Sequence, residues 1–210
     1  MNTNEPKHIA IAGNIGAGKT TLVKKLASTY QWEPHLEAVD DNPYLSDFYY
    51  DMSKWAFPLQ IYFLNSRFNQ VLEIRKSEQT IIQDRTIYED AFIFAKNLKD
   101  SRYLDERDYN TYFDLFQSMS KMIKPPDLLI YLRAGIPKLI EQISRRGRDY
   151  ESSISIKYLE DLNRNYEEWI GNYKEGKLLI IDVNKLDYVN NPEDLGLVLS
   201  KVEAELHGLF

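Results

Sequence analysis

The chain has 210 residues, with 26 Lys+Arg against 32 Asp+Glu and a formal net charge of −6. That balance argues against a nucleic-acid coat or a basic membrane-surface protein, both of which draw affinity from clustered Lys and Arg, whereas 43% apolar residues suit a globular chain with a sizeable core. With no cysteine and only His8, His35 and His207, disulfides, thiolate zinc sites and cysteine nucleophiles are excluded.

In chain order, a polar N-terminus leads into a short apolar run, 8–13, far below the length of a signal or membrane-spanning segment. A cytoplasmic protein is therefore expected, without nucleic-acid or membrane partners. The run reads as a strand and ends in Gly13-Asn14-Ile15-Gly16-Ala17-Gly18-Lys19-Thr20, followed by Thr21. This is G-x-x-x-x-G-K-[ST] between a strand and a helix, the context in which backbone N–H groups cradle phosphates. Lys19 then reaches β/γ-phosphates and the Thr20 hydroxyl ligates Mg²⁺. The helix spans Lys19–Tyr30, with Leu22, Val23, Leu26 and Ala27 on one face.

A second strand is predicted over 33–39, with Glu37 near its end, placed to take a proton from an attacking hydroxyl or simply solvated. A long helix follows over 53–76. Pro58 removes a hydrogen bond there, so this helix starts near Pro58 or bends at it. Gln60, Phe63, Leu64 and Arg67 share a face; they read a nucleobase edge or form a core stripe with polar margins. The third strand, 80–83, delivers Asp84-Arg85 to the ligand crevice of a parallel sheet, where an acid holds Mg²⁺ or accepts a proton. The bland alternative is an ion pair capping the next helix, 88–98. The segment 98–108 is polar and reads as a surface connection.

Beyond it come a helix over 105–123 with an aromatic stripe (Tyr109, Tyr112, Phe113, Phe116), a strand over 127–133 and a helix over 136–146. That helix ends in Arg145-Arg146-Gly147-Arg148, either a lid closing on a transferred phosphoryl group or a basic C-terminus complementing the helix dipole. Helix 155–173, strand 177–183 and helix 192–206 complete the pattern. Near-continuously apolar strands alternating with helices imply a parallel sheet covered on both faces, a doubly wound α/β fold of three layers. No repeat or Gly/Ser-rich linker divides the chain, so one domain, 1–210, is expected.

Together these motifs resemble the deoxynucleoside kinase family, the group related to deoxycytidine and deoxyguanosine kinase, and within it the bacterial deoxyadenosine kinases most. The resemblance spans nearly the whole chain: GNIGAGKTTL, LEAVDDNPYL, FYYDMSKWAFPLQIYFLNSRF, QDRTIYEDAFIFAKNL, RRGR and LLIIDV. It implies a P-loop kinase fold with a five-stranded parallel sheet, ATP as donor, Mg²⁺, a homodimer formed through helices, and a lid at about 144–153. By the same resemblance Glu37 contacts the sugar 5′-hydroxyl, Tyr49 and Glu151 bind the 3′-hydroxyl, and Tyr49 crowds the 2′ position. Gln60 reads the base, Arg67 and Asp90 form a polar pair beside it, and Phe94 stacks on it. Asp84 and Arg85 serve Mg²⁺, the proton and the phosphate, while Arg146 and Arg148 are lid arginines; Gln142 stands where the family has a further one. Asp187 and Tyr188 fall near the donor-adenine loop.

The expectation is an ATP-dependent kinase acting on the 5′-hydroxyl of a purine deoxynucleoside, deoxyadenosine before deoxyguanosine or a broad set, in deoxynucleotide salvage. Glu37 or Asp84 takes the proton. The rivals are a thymidylate-like monophosphate kinase, which needs extra basic residues for its acceptor phosphate, and an ATP-binding module without transfer.

Overall fold

The computed structural model describes residues 7–36, 42–148, 151 and 154–208. Five parallel strands form one sheet: β1 (His8–Gly13), β2 (Glu33–His35), β3 (Ile81–Asp84), β4 (Leu128–Arg133) and β5 (Lys177–Asp182), in spatial order β2-β3-β1-β4-β5. Central β1 pairs Ile11 with Asp84 on one side and Gly13 with Leu132 on the other. Residues 9–12 and 128–130 are wholly buried, because helices cover the central strands on both faces. From β1 the chain winds outward to β2, whereas from β4 it winds to β5. The crevice beyond the carboxyl ends of these strands is therefore the switch point at which such sheets hold ligands.

Helix α1 (Lys19–Tyr30) packs Leu22, Val23 and Leu26 onto the sheet. Next come α2 (Leu45–Tyr50) and α3 (Met52–Ile74); Asp51 caps α3 by accepting a hydrogen bond from Lys54 N at 3.2 Å. With that cap α3 begins well before Pro58, close to the expected span of 53–76, and of the two alternatives for the proline a start near it is set aside, since Pro58 lies inside the helix. After β3, the helical stretch α4 (Ile87–Glu89), a π-helical turn (Asp90–Ala95) and α5 (Lys96–Asp100) runs without a break. The sequence had suggested one ordinary helix here. The segment that follows is a surface connection, as expected, exposed at most of its positions and anchored by the buried Leu98 and Leu104.

Helix α6 (Glu106–Ser120) is capped by Asp105 and packs on α3 and the π turn, burying Tyr112 and Phe116 inside the chain. Helices α7 (Ile136–Arg146), α8 (Ile156–Gly171) and α9 (Pro192–His207) complete the fold. β2 is shorter than expected, ending at His35. No helix among the described residues is long and apolar enough to cross a membrane.

A chain of side-chain hydrogen bonds runs beneath the sheet. The His8 Nε2–H donates to Gln83 Oε1 at 2.8 Å, Gln83 Nε2 donates to Gln70 Oε1 at 3.1 Å, and Gln70 Nε2 donates to the Leu36 carbonyl at 3.2 Å. Burial lowers the His8 imidazole to about 4, so the fold holds it neutral, whereas the unfolded chain binds a proton below roughly pH 6.5. The stability this contributes is full above that value and is lost as pH falls toward about 4. Urea titrations of His8→Gln, which keeps a donor for Gln83 but does not titrate, are expected to lose about 2 kcal/mol less than wild type between pH 7 and pH 5. Equal losses would place the acid sensitivity elsewhere.

Candidate active site

The carboxyl ends of β1 and β3, together with α2, α3, α7 and the π turn, enclose a cleft of about 490 Å³. One half is built on the phosphate loop. Gly18, at φ 93, takes a left-handed backbone that any side chain would strain, and a Cβ there would lie 2.2 Å from the Tyr188 hydroxyl. That hydroxyl donates to the Gly18 carbonyl at 3.1 Å. Tyr188 therefore buttresses the loop with its side chain, a contact the sequence did not suggest. Asn14 is pinned from below: its Nδ2 donates to the Leu159 carbonyl at 3.0 Å and to Asn163 Oδ1 at 2.6 Å, fastening the loop to α8. Lys19 Nζ curls back to the Asn14 carbonyl at 3.0 Å. Ile15, Gly16, Gly18, Lys19, Thr20 and Thr21 all line the cleft, and Gly13 and Ala17 shape the loop's base.

Asp84 closes β3 with no exposed surface, and the Thr20 hydroxyl donates to its Oδ2. Its Oδ1 is buried without a hydrogen-bond partner among the described residues. A hydroxyl and a buried, partly unsatisfied carboxylate are hard oxygen donors, so this pair fits Mg²⁺ carried in with nucleotide phosphates. Arg85 follows at φ 73, a strained angle for a residue with a side chain. Its N–H donates to the Ile11 carbonyl at 2.9 Å, and its guanidinium lies 4.5 Å from the centre of the Phe94 ring.

The other half of the cleft is polar but buried. Gln60 and Arg67, two turns apart on α3, face Asp90 at the start of the π turn; Arg67 Nε lies 2.6 Å from Asp90 Oδ2. Gln60 Oε1 is buried with no hydrogen-bond partner among the described residues. Tyr49, Phe63 and Phe94 supply aromatic walls.

Arg146 and Arg148, the arginines expected in a lid, line the cleft as well. Gly147 ends α7 at φ 65, turning the chain so that Glu151, 5% exposed, meets Arg146 in a two-pronged ion pair and Arg148 at 3.6 Å. A carboxylate expected on the acceptor sugar is thus paired with guanidinia expected on donor phosphates. Gln142 and Arg145 also line the cleft. Glu37 lies outside the described residues. The sequence reading also missed Glu89 and Tyr166, which sit behind Arg85. Thr86-x-x-Glu89 is a capping-box pattern, and it would have marked Glu89 as a helix-start residue, though not as a partner of the site.

A parallel sheet whose first strand ends in a phosphate loop, with an acid and an arginine at the end of a neighbouring strand, defines a P-loop kinase. The family model for deoxynucleoside kinase matches residues 9–207. A deoxyadenosine kinase of Dictyostelium discoideum is 45% identical over 96% of this chain and 80% of its own length. A deoxyguanosine kinase of Lactobacillus acidophilus is 36% identical, with 94% and 90% covered. Among solved structures, a deoxyadenosine kinase from M. mycoides with the products dCMP and a flexible dCDP bound superposes with a TM-score of 0.84 at 35% identity, covering 94% of this chain and 99% of that one. The chain belongs to the deoxynucleoside kinase family and is a phosphotransferase of that kind. Membership sets aside the reading as a binding module without transfer.

Proposed function

We propose that the protein transfers the γ-phosphoryl group of ATP to the 5′-hydroxyl of a purine deoxynucleoside, deoxyadenosine before others, with Mg²⁺ accompanying the donor. The observation that carries the acceptor assignment is Gln60, whose buried Oε1 lacks a hydrogen-bond partner among the described residues. An unsatisfied buried acceptor costs about 1–3 kcal/mol, which a donor on the ligand relieves. Adenine offers its exocyclic amine beside a ring nitrogen, the order a carboxamide meets in one plane. Guanine reverses that order, and a rotated amide also meets it, so the ranking must be read from rates. The deoxyadenosine and deoxyguanosine kinases among the relatives support a purine acceptor, while the dCMP in the M. mycoides deoxyadenosine kinase keeps deoxycytidine among the acceptors to be ranked.

In this reading Lys19 and the loop N–H groups of residues 13–20 hold the β- and γ-phosphates, and Glu37 or Asp84 accepts the 5′-hydroxyl proton. Thr20 and Asp84 would hold Mg²⁺, which would supply positive charge to the donor phosphates. Arg85 offsets charge on the transferred group, joined by Arg146 and Arg148 from a lid at about 144–153. Tyr49 and Glu151 take the 3′-hydroxyl, Arg67 and Asp90 flank the base, and Phe94 stacks on it. Catalysis is then mainly positioning and electrostatics. A homodimer through α6 is part of the proposal, since Leu115 and Met122 remain exposed on and just beyond that helix.

Phosphoryl transfer from Mg-ATP, measured across deoxyadenosine, deoxyguanosine, deoxycytidine, thymidine and their monophosphates, tests the reading. The highest kcat/KM is expected with deoxyadenosine and none with monophosphates. A higher value for deoxyguanosine would replace the base assignment, and activity on a monophosphate would replace the acceptor class.

A further inference from the structure

Behind Arg85 lies a buried polar hub that touches neither half of the cleft. Glu89 has no exposed surface, and each of its oxygens is engaged. Oε2 accepts from Thr86 N at 2.7 Å and from the Thr86 hydroxyl at 3.3 Å. Oε1 accepts from Gly13 N at 3.3 Å and from the Tyr166 hydroxyl at 2.7 Å. That hydroxyl, wholly buried, also lies 2.8 Å from the Gly13 carbonyl and accepts from Arg85 Nη1 at 3.1 Å. Arg85 Nη1 is 3.8 Å from Glu89 Oε1. Thus the Glu89 carboxylate holds Gly13 by its N–H, where the phosphate loop leaves β1, and the Tyr166 hydroxyl, whose one proton lies between Glu89 Oε1 and the Gly13 carbonyl, accepts from the Arg85 guanidinium at the same point.

We infer that Glu89 and Tyr166 are positioning residues for phosphoryl transfer, fixing the Arg85 guanidinium and the first residue of the phosphate loop at a constant separation. This rests on the proposed role of Arg85 at the transferred phosphoryl group. Three features of the hub support it. First, Arg85 holds a strained backbone angle of φ 73, and such strain persists only where the surroundings over-determine it. Second, a buried cluster of charged and phenolic groups is weak as a stabilising device, because an apolar core of the same volume usually does as well or better. The Tyr166 ring already packs against Tyr131, with centroids 5.6 Å apart, so phenylalanine would fill the same space. Third, burial and the neighbouring Glu89 raise the Tyr166 hydroxyl well above its ordinary range. It therefore remains a neutral group that donates one hydrogen bond while accepting another from Arg85.

The test is a double-mutant cycle between Tyr166→Phe and Arg85→Ala, with single-turnover rates, steady-state kinetics and thermal melts. Arg85→Ala alone is expected to reduce kcat by roughly a thousandfold. Tyr166→Phe in the wild-type background is expected to lower kcat roughly 30-fold, with the nucleoside KM within about threefold of wild type. In the Arg85→Ala background the same change is expected to alter the rate less than about threefold, because its effect is exerted through the missing guanidinium. Glu89→Gln, which keeps the shape but removes the charge, is expected to show the same dependence on Arg85. If Arg85→Ala is slowed as expected but Tyr166→Phe slows turnover equally in both backgrounds, or in neither, the positioning role is overturned. If Arg85→Ala retains wild-type turnover, the reading of Arg85 itself falls, and this inference with it.

Discussion

Asp84→Asn is expected to lower kcat about a thousandfold while leaving thermal stability unchanged or slightly higher. The opposite signs follow from where the carboxylate sits. As the last residue of β3, paired with Ile11 of β1, it has a backbone locked into the sheet and cannot swing toward solvent. The Thr20 hydroxyl satisfies Oδ2, but Oδ1 is buried without a hydrogen-bond partner among the described residues. Holding a partly satisfied charge there opposes folding, and a cation brought in with the donor phosphates relieves it. Asparagine retains an acceptor for Thr20 and the same volume, so it removes the penalty and the catalytic charge together. Turnover followed across a Mg²⁺ titration, beside a thermal melt, checks both signs. The half-saturating Mg²⁺ concentration is expected to rise roughly tenfold. A variant within tenfold of wild-type turnover would remove Asp84 from the chemistry.

Much of this site was legible in the sequence, because its chemistry is written in short contiguous runs. The strand at 8–13 and the helices Lys19–Tyr30 and Ile136–Arg146 fall where apolar runs, periodicity and a phosphate loop place them. Asp84 and Arg85 were found from the apolar residues before them, although the strand takes in Asp84 itself. What escaped had no local signature. α2 is less than two turns long, half of its residues aromatic, and too short for a 3.6-residue period to emerge. The π turn depends on one extra residue of winding that places Asp90 opposite Arg67, and nothing in the sequence marks it. The contact of Tyr166 with Gly13 spans 153 positions and that of Tyr188 with Gly18 spans 170, so each exists only once the sheet has closed. The joining of Arg146 to Glu151 was hidden differently: the residues were assigned to opposite substrates, and only the turn at Gly147 brings them together.

The second large effect is expected at the Arg67 and Asp90 pair, where stability and specificity separate. Both residues are 2% exposed and their charged atoms lie 2.6 Å apart, with the Arg67 guanidinium 5.3 Å from the Phe63 ring centre. Arg67→Met takes from the buried Asp90 carboxylate its guanidinium partner at 2.6 Å, a loss of up to about 3–5 kcal/mol. In a chain of this size that corresponds to a drop in melting temperature of roughly 10 °C. Asp90→Ala takes that carboxylate from the guanidinium instead and is expected to cost a similar amount. Removing both charges together, in Arg67→Met with Asp90→Ala, leaves no unpaired charge, so most of the lost stability is expected to return. If the pair reads the base, however, specificity does not return with it. The double variant is expected to lose about 100-fold or more in kcat/KM for deoxyadenosine and to reorder its preference among deoxyadenosine, deoxyguanosine and deoxycytidine. ATP binding is expected to remain near wild type, because the donor half of the cleft rests on the phosphate loop and Asp84. Melts of the three variants and the wild type give the stability cycle, and nucleoside competition assays on the double variant give the ranking. A double variant that regains stability with an unchanged ranking would show the pair to be a structural strut between α3 and the π turn, leaving base selection to Gln60 and the aromatic walls.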